Sequence, residues 1–418
     1  MTLYRSFRDE MMAGGAVNDV GQDPEMARSL RTRVVLSGVI VSALLVWLGV
    51  SNIWSLVLVI GLLVSIFLHE VGHFVTAGWA GMKRTQFFMG FGPKLWSTHR
   101  NGVEYGVRAL PLGAFVRIVG MNNLDPVEPG DEDLAYSSKP YRWRLLVITA
   151  GSIMHVIIAV TIMLFVYGVG GRFQETGRTE VIAVGEDTPA ELAGLSSGDV
   201  VLAVNGDPIE SSDDLRSTIG SLPAGQDIVV TVERSGTEID VSAQLAPRPT
   251  DPEGTSGYLG VSTDSFGREK LGILDAAGHV IGDLWTGMGR TLEGIVTVIN
   301  PVNQWEQVTD SNADPTKRPT TVVGITQVAG DIGERDGMFA VLEVLASINV
   351  FVGLFNMLPL LPFDGGHAAI ATYERLRSRK GREYRADVEK LWPLTVAVVT
   401  MLLFLTVAGL YLDITRPF

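Results

Sequence analysis

Cysteine is absent from this chain of 418 residues, and charge is scarce: 19% of positions are Asp, Glu, Lys or Arg, whereas 46% are hydrophobic. The first absence excludes a disulfide scaffold, a thiolate metal site and a cysteine nucleophile. Any metal must therefore sit on His, Asp or Glu. So apolar a chain is not disordered, and a net charge of −13 offers no footprint for nucleic acid. No secretory leader is expected, because 33 mostly polar residues precede the first apolar run and no small-residue cleavage site is found. Residues 1–33 read instead as a cytoplasmic tail. Only six histidines are present, without the His-rich loops expected of a zinc carrier.

Long apolar runs, by contrast, are abundant. Residues 34–68 carry no charge over 35 positions; one helix of that length would extend about 52 Å, against a bilayer core of about 30 Å. The run is thus two spans, 34–50 and one starting at residue 53, with a turn near 49–52. Further spans are expected at 145–169, 338–362 and 392–412. Lys and Arg set the orientation: Arg28, Arg31 and Arg33 precede the first span, nine basic residues lie within 80–144, and seven lie within 375–390. These segments should face the cytoplasm. Residues 171–337 hold 11 basic against 27 acidic residues, so the acidity belongs to one translocated region. Within it, 178–246 reads as short alternating strands around a helix at 212–219, with turns at Asn205, Gly206 and Ser235, Gly236. After Pro247, Pro249 and Pro252, residues 271–300 place Ile281, Leu284, Trp285 and Met288 at helical spacing, as expected of a helix on the membrane surface.

The strongest chemical signal is His69-Glu70-Val71-Gly72-His73. Residues i and i+4 share a helix face, so the two imidazoles form a bidentate clamp for zinc, with Glu70 beside them to move a proton. Six His and 46 acidic residues would generate such a match only ~0.01 times by chance. A hydrolytic zinc needs a third protein ligand and one open position. Thr76 and Trp79 occupy the positions where an extended H-E-x-x-H-x-x-G-x-x-H pattern requires Gly and His, and no Glu follows before Glu104. The candidate is Asp364, the only acidic residue between Val344 and Tyr373, in Asn356-Met357-Leu358-Pro359-Leu360-Leu361-Pro362-Phe363-Asp364-Gly365-Gly366-His367. His367 is its competitor. Pro359 and Pro362 should break the helix, which membrane depth tolerates where the backbone is buried in protein or lines a wet cavity.

These two motifs around a β-rich insertion resemble the site-2 protease family of intramembrane zinc metalloproteases, specifically the bacterial regulators of anti-sigma-factor signalling, over roughly residues 53–412. Gly90, Phe91, Gly92, Pro93 and the run 104–116 resemble that family's membrane-associated β-hairpin, here 88–118. Residues 188–206 are similar to a bacterial PDZ domain. The resemblance implies a polytopic α-helical membrane protein of about five transmembrane helices, with a membrane-associated β-hairpin and an inserted extracytoplasmic PDZ-like domain at 178–246. The protease core is expected in two parts, 53–169 and 338–412, joined through a linker and amphipathic surface helix at 247–337. It further implies Zn2+ on His69, His73 and Asp364, Glu70 as the catalytic proton shuttle, and Asn356 as a group that bonds substrate backbone. Implied partners are the lipid bilayer and single-span membrane proteins already trimmed by another protease; the implied location is the bacterial inner membrane.

Two departures stand out. Where the family commonly carries G-P-x-x-N, this chain has Gly151-Ser152-Ile153-Met154-His155, so His155 either lines the site as a hydrogen-bonding group or is a plain buried polar residue. The span at 34–50 is additional. The alternative function is a non-catalytic PDZ-bearing receptor or scaffold with a structural zinc site; such a site has no use for Glu70.

Overall fold

The computed structural model describes residues 24–121, 127–251, 254–310, 313–314, 317–378 and 384–416. The expected tail as far as residue 23, and Pro252, lie outside them. Two compact units emerge: Phe165–Ala276 is inserted into a helical unit made from the chain on either side of it.

The helical unit starts with α1 (Pro24–Ser51) and α2 (Ile53–Trp79). Asn52 divides the uncharged run: in extended conformation it caps α2, its side chain accepting from the Trp54 and Ser55 amides at 3.0 Å. Two long strands follow, β1 (Arg84–Arg100) and β2 (Val103–Ile118). Each bends, so the feature is more than a simple hairpin: Gln86 lies opposite both Arg117 and Glu104, and Met89 opposite both Ala114 and Val107. Gly90, at φ 89°, makes the bend possible, since a Cβ there would strike the Arg108 and Leu110 carbonyls. Then comes α3 (Tyr141–Phe165), which continues as a π-helical turn to Gly170.

In the inserted unit, β3 (Arg172–Val184), α4 (Pro189–Ala193), β4 (Val200–Val204), α5 (Ser212–Ser221), β5 (Asp227–Arg234), β6 (Thr237–Gln244) and β7 (Val261–Glu269) follow in chain order. The sheet order is β7-β3-β4-β5-β6, with Asp207–Pro208 paired on β4. Inward residues of the alternating strands, among them Val181, Val201, Val204, Ile228, Val230 and Val232, close over Leu215 and Ile219 of α5 in one core. The compact unit is wider than the expected 178–246. Strand β7, which reads as linker, pairs with β3 from Val261 opposite Val184 to Glu269 opposite Arg172.

The chain re-enters the helical unit through α6 (Ile273–Ile299) and α7 (Pro301–Thr309). One face of α6 is buried at Val280 and Ile295 and packs Leu284 and Met288 against Ala159, Ala346 and Val350; the other exposes Ile281, Trp285, Leu292 and Val296. Next, α8 (Val322–Asn356) is longer than the span expected at 338–362. Gly337, at φ 77°, kinks it without ending it, and it stops at Asn356, before Pro359 and Pro362. Residues 357–363 are non-helical, after which α9 (Asp364–Arg377) and α10 (Trp392–Thr415) complete the unit.

Among the described residues, four helices are long and apolar enough to cross a membrane: α2, α3 with its extension, α8 and α10. The described apolar part of α1, Gly38–Ser51, is shorter. Leu58 of α2 packs with Ala329, Val341 and Leu345 of α8, while α8 meets α3 through Ala346, Val350 and Ala159. The chain is thus a polytopic helical membrane protein carrying an inserted β-rich domain, and α2, α3 and α8 frame its polar centre.

Candidate metal centre

The centre is assembled where three apolar helices come unusually close, and glycine sets the spacing. A Cβ on Gly72 of α2 would stand 2.8 Å from the Ala150 carbonyl of α3, and one on Gly353 of α8 would press on His155 and the Ser152 carbonyl. Gly151 lies directly against the rings of His69 and His73, where any side chain would displace them. Gly365 and Gly366 serve the other wall: Cβ atoms there would strike the backbone of residues 357–361, which folds back over the start of α9. That return brings Asp364, in the first turn of α9, to the two histidines of α2.

Nε2 of His69 and Nε2 of His73 are 3.1 Å apart, and Asp364 Oδ2 lies 3.5 Å from the first and 3.2 Å from the second. Ligand atoms about 2.05 Å from a tetrahedral zinc are separated by about 3.3 Å, so these spacings match three corners of a zinc tetrahedron. The donor set, two imidazoles and one carboxylate, suits the same ion. His73 Nδ1 donates to the Val147 carbonyl at 2.7 Å, which leaves a lone pair on the Nε2 that faces the cluster. Both rings are buried, at 9% exposure for His69 and 5% for His73. His69 Nδ1 is buried beside the Gly151 backbone of α3 and makes no hydrogen bond of good geometry.

Glu70 Oε1 is 4.0 Å from His69 Nε2, and the Val116 backbone of β2 lies beside its carboxylate. The general-base candidate and the outer part of β2 therefore adjoin the cluster. Asn356, the last residue of α8, donates from Nδ2 to Asp364 Oδ2 at 2.7 Å, and the same nitrogen is 3.4 Å from His69 Nε2. Its amide thus meets the Asp364 carboxylate. His155 is buried against His69, ring centroids 5.0 Å apart, with Nδ1 hydrogen-bonded to Asn349 Oδ1 at 2.8 Å. His367 is not part of the convergent group of His69, His73 and Asp364; it lines a separate cavity of about 30 Å³ with Tyr136, Arg144 and Glu374.

Sequence reasoning missed Gly151 and Asn349. Gly151 carried a signal in being one helical turn before His155. Asn349 is seven residues before Asn356, so on α8 the two amides share a face.

The description Peptidase family M50 matches residues 57–403 of the chain. Zinc metalloprotease Rip1 of Mycobacterium tuberculosis is 32% identical over 397 residues, covering 86% of this chain and 96% of its own. Zinc metalloprotease RasP of Shouchella clausii is 27% identical over 392 residues, with 76% and 89% covered. Among solved structures, the PDZ domain of the SdrC-like protein Lin2157 from Listeria innocua matches at 26% identity over 22% of this chain and 99% of that one, with a TM-score of 0.19.

Proposed function

The chain belongs to peptidase family M50, the site-2 protease family of intramembrane zinc metalloproteases, and from that premise we propose that His69, His73 and Asp364 hold its zinc, that Glu70 carries the proton, and that the substrates are transmembrane segments of single-span proteins. The observation that carries this reading is the tetrahedral spacing of the three ligand atoms beside Glu70.

Zinc bound there supplies Lewis acidity for the scissile carbonyl and an acidified water at neutral pH. Glu70 takes the proton from the attacking water and returns it to the leaving amine, a role that needs a carboxylate within reach of the cluster but outside the ligand set. Val147 holds the His73 tautomer through Nδ1, and Asn356 steadies Asp364 while its Oδ1 is offered to a substrate backbone N–H. A helical substrate hides its carbonyls in its own hydrogen bonds, so it must be unwound. The outer part of β2, whose Val116 backbone already touches Glu70, supplies an edge on which an extended segment is held by main-chain bonds. Candidate clients are trimmed anti-sigma-factor-like proteins and remnant signal peptides.

The basic clusters support a cytoplasmic N-terminus and an acidic inserted unit outside a bacterial inner membrane. That unit acts as a size filter that refuses untrimmed clients. Arg172 and Glu269 are register partners, so residues 172–269 can be replaced by a short Gly-Ser bridge. A filter predicts premature cleavage of untrimmed client after this excision; loss of cleavage even of trimmed client would mean a docking role instead. For the catalytic reading, purified Glu70→Gln should keep one zinc and lose cleavage of a transmembrane reporter. Full cleavage by Glu70→Gln or by Asp364→Ala would overturn the assignment.

A further inference from the structure

Asn349 is almost completely buried, 1% exposed, in the middle of an apolar stretch of α8, and His155 is 3% exposed on the facing helix α3. Two polar side chains at that depth are costly unless each satisfies the other. Their geometry fixes the direction of the bond between them. Asn349 Nδ2 donates to the Leu345 carbonyl at 2.8 Å, so the atom it turns to His155 is Oδ1, an acceptor, and His155 Nδ1 must be the donor at 2.8 Å. The imidazole is therefore held in one tautomer and one rotamer by a hydrogen-bonded chain anchored in the α8 backbone. Gly353, one turn after Asn349, lets α3 approach closely enough for this bond. The held ring lies on His69, tilted by 44° with centroids 5.0 Å apart. His69 Nδ1 has only the Gly151 backbone beside it, without a hydrogen bond of good geometry, whereas His73 Nδ1 donates to Val147 at 2.7 Å.

We propose that Asn349 and His155 are positioning residues: Asn349 locks the His155 ring, and that ring buttresses His69 in the rotamer that aims Nε2 at His73 and Asp364. The inference rests on the reading of His69 as a zinc ligand. It gives the two histidines different supports, a hydrogen bond for His73 and a locked neighbouring ring for His69. It also gives α8 a second amide function two turns before Asn356.

The test uses the full-length protein in detergent and two metals. Zinc affinity is measured by competition with a chelator, and the ligand field by the visible spectrum of the cobalt form. Asn349→Leu, which keeps the volume and removes the acceptor, should weaken zinc by about tenfold, the lower end for groups that orient a ligand, and shift the cobalt bands. Asn349→Asp, which keeps an acceptor for Nδ1–H, should bind within about threefold of wild type. A packing role alone predicts the reverse order, because a carboxylate is far worse than leucine among apolar helices. His155→Asn is the second variant: its Nδ2 reproduces the bond to Asn349 but removes the ring from His69, so it should weaken zinc as Asn349→Leu does. Stoichiometric zinc in wild type together with unchanged affinity and spectra in Asn349→Leu and His155→Asn would overturn this inference alone. So would Asn349→Asp binding more weakly than Asn349→Leu. Failure of the wild type to bind zinc at all would sink both this inference and the ligand assignment beneath it.

Discussion

The inserted unit and the centre of the helical unit bury charge in opposite ways. In the inserted unit, the 1%-exposed carboxylate of Asp199 is met by an Arg234 fork, Nε to Oδ1 at 2.6 Å and Nη2 to Oδ2 at 2.7 Å, with the Ser196 amide as a third donor. The helical unit repeats the pattern at its margins, where Arg144 meets Glu374 and Arg318 meets Asp413, each at 2.7 Å. At its centre the pattern breaks. Two imidazoles and Asp364 converge there, and among the described residues the ion-pair partners of Asp364 are those same histidines. Burying charge is tolerable when hydrogen bonds and an opposite charge compensate it. A buried donor set arranged at tetrahedral spacing calls instead for a cation from outside, which under the proposed function is what sets this centre apart from a structural clasp.

Breaking the centre should therefore destroy activity while sparing the fold, and breaking a clasp should do the reverse. The largest effect is expected at the centre: His69→Ala, His73→Ala or Asp364→Ala should reduce cleavage to background and lower bound zinc, as read by metal analysis of the purified protein. Glu70→Gln should cost about 10²–10⁴-fold in rate with one zinc retained. If Glu70→Gln lost zinc as fully as the ligand variants, Glu70 would belong to the ligand set and the division of roles would fail.

Next in size is the clasp at Glu374. Its Oε2 accepts from Arg144 and its Oε1 from the Ala386 amide, and the carboxylate is only 6% exposed. Glu374→Leu strands the Arg144 charge in a buried position, a loss of about 3–5 kcal/mol, read as a fall in the thermal unfolding midpoint in detergent. The double variant Arg144→Met/Glu374→Leu should recover most of that loss, since replacing both partners removes the uncompensated charge. A double variant as unstable as the single one would show that shape, rather than charge, holds α3 to α9.

How much of this was legible in the sequence follows from the kind of signal each feature leaves. His69, Glu70 and His73 are four residues apart or closer on one helix, and Asp364 is an isolated acid in an apolar stretch, so local spacing and rarity suffice. Pro359 and Pro362 announced the break after Asn356 through their missing amides and fixed φ. Strand β7 was invisible as part of the inserted unit because its partner, β3, begins 89 residues earlier than Val261, and pairing at that distance leaves no local pattern. The continuation of α8 through Gly337 was hidden for a different reason: glycine permits a kink as readily as an end. The role of Asn349 comes from His155 on another helix, a pairing that leaves no local pattern. Gly151 left only the signal of standing one turn before His155, because its role is the space it leaves for two rings.

The smallest effect, and the sharpest contrast with the centre, is expected at Asp199. The Arg234 fork holds this carboxyl below its ordinary range, with the Ser196 amide adding to the effect and burial opposing it. The folded state therefore favours the deprotonated form. Its contribution is fully present above the unfolded pKa of about 3.9, and is lost as pH falls through that value toward the lower folded one. The guanidinium is 39% exposed, so solvent screens part of the charge interaction. What remains is the set of hydrogen bonds to a buried carboxylate, about 1–2 kcal/mol. Asp199→Ala should accordingly lower hydrogen-exchange protection of the β5 and β6 amides by about tenfold at pH 7 in the full-length protein, while leaving zinc content unchanged. The gap from wild type should narrow as pH falls from about 5 through the unfolded pKa of about 3.9 and on toward the lower folded one. A gap that stayed constant over that window would mean that packing around Asp199, and not its charge, holds the strand. Loss of zinc in the same variant would mean that the two units are not independent in the way their contrasting chemistry implies.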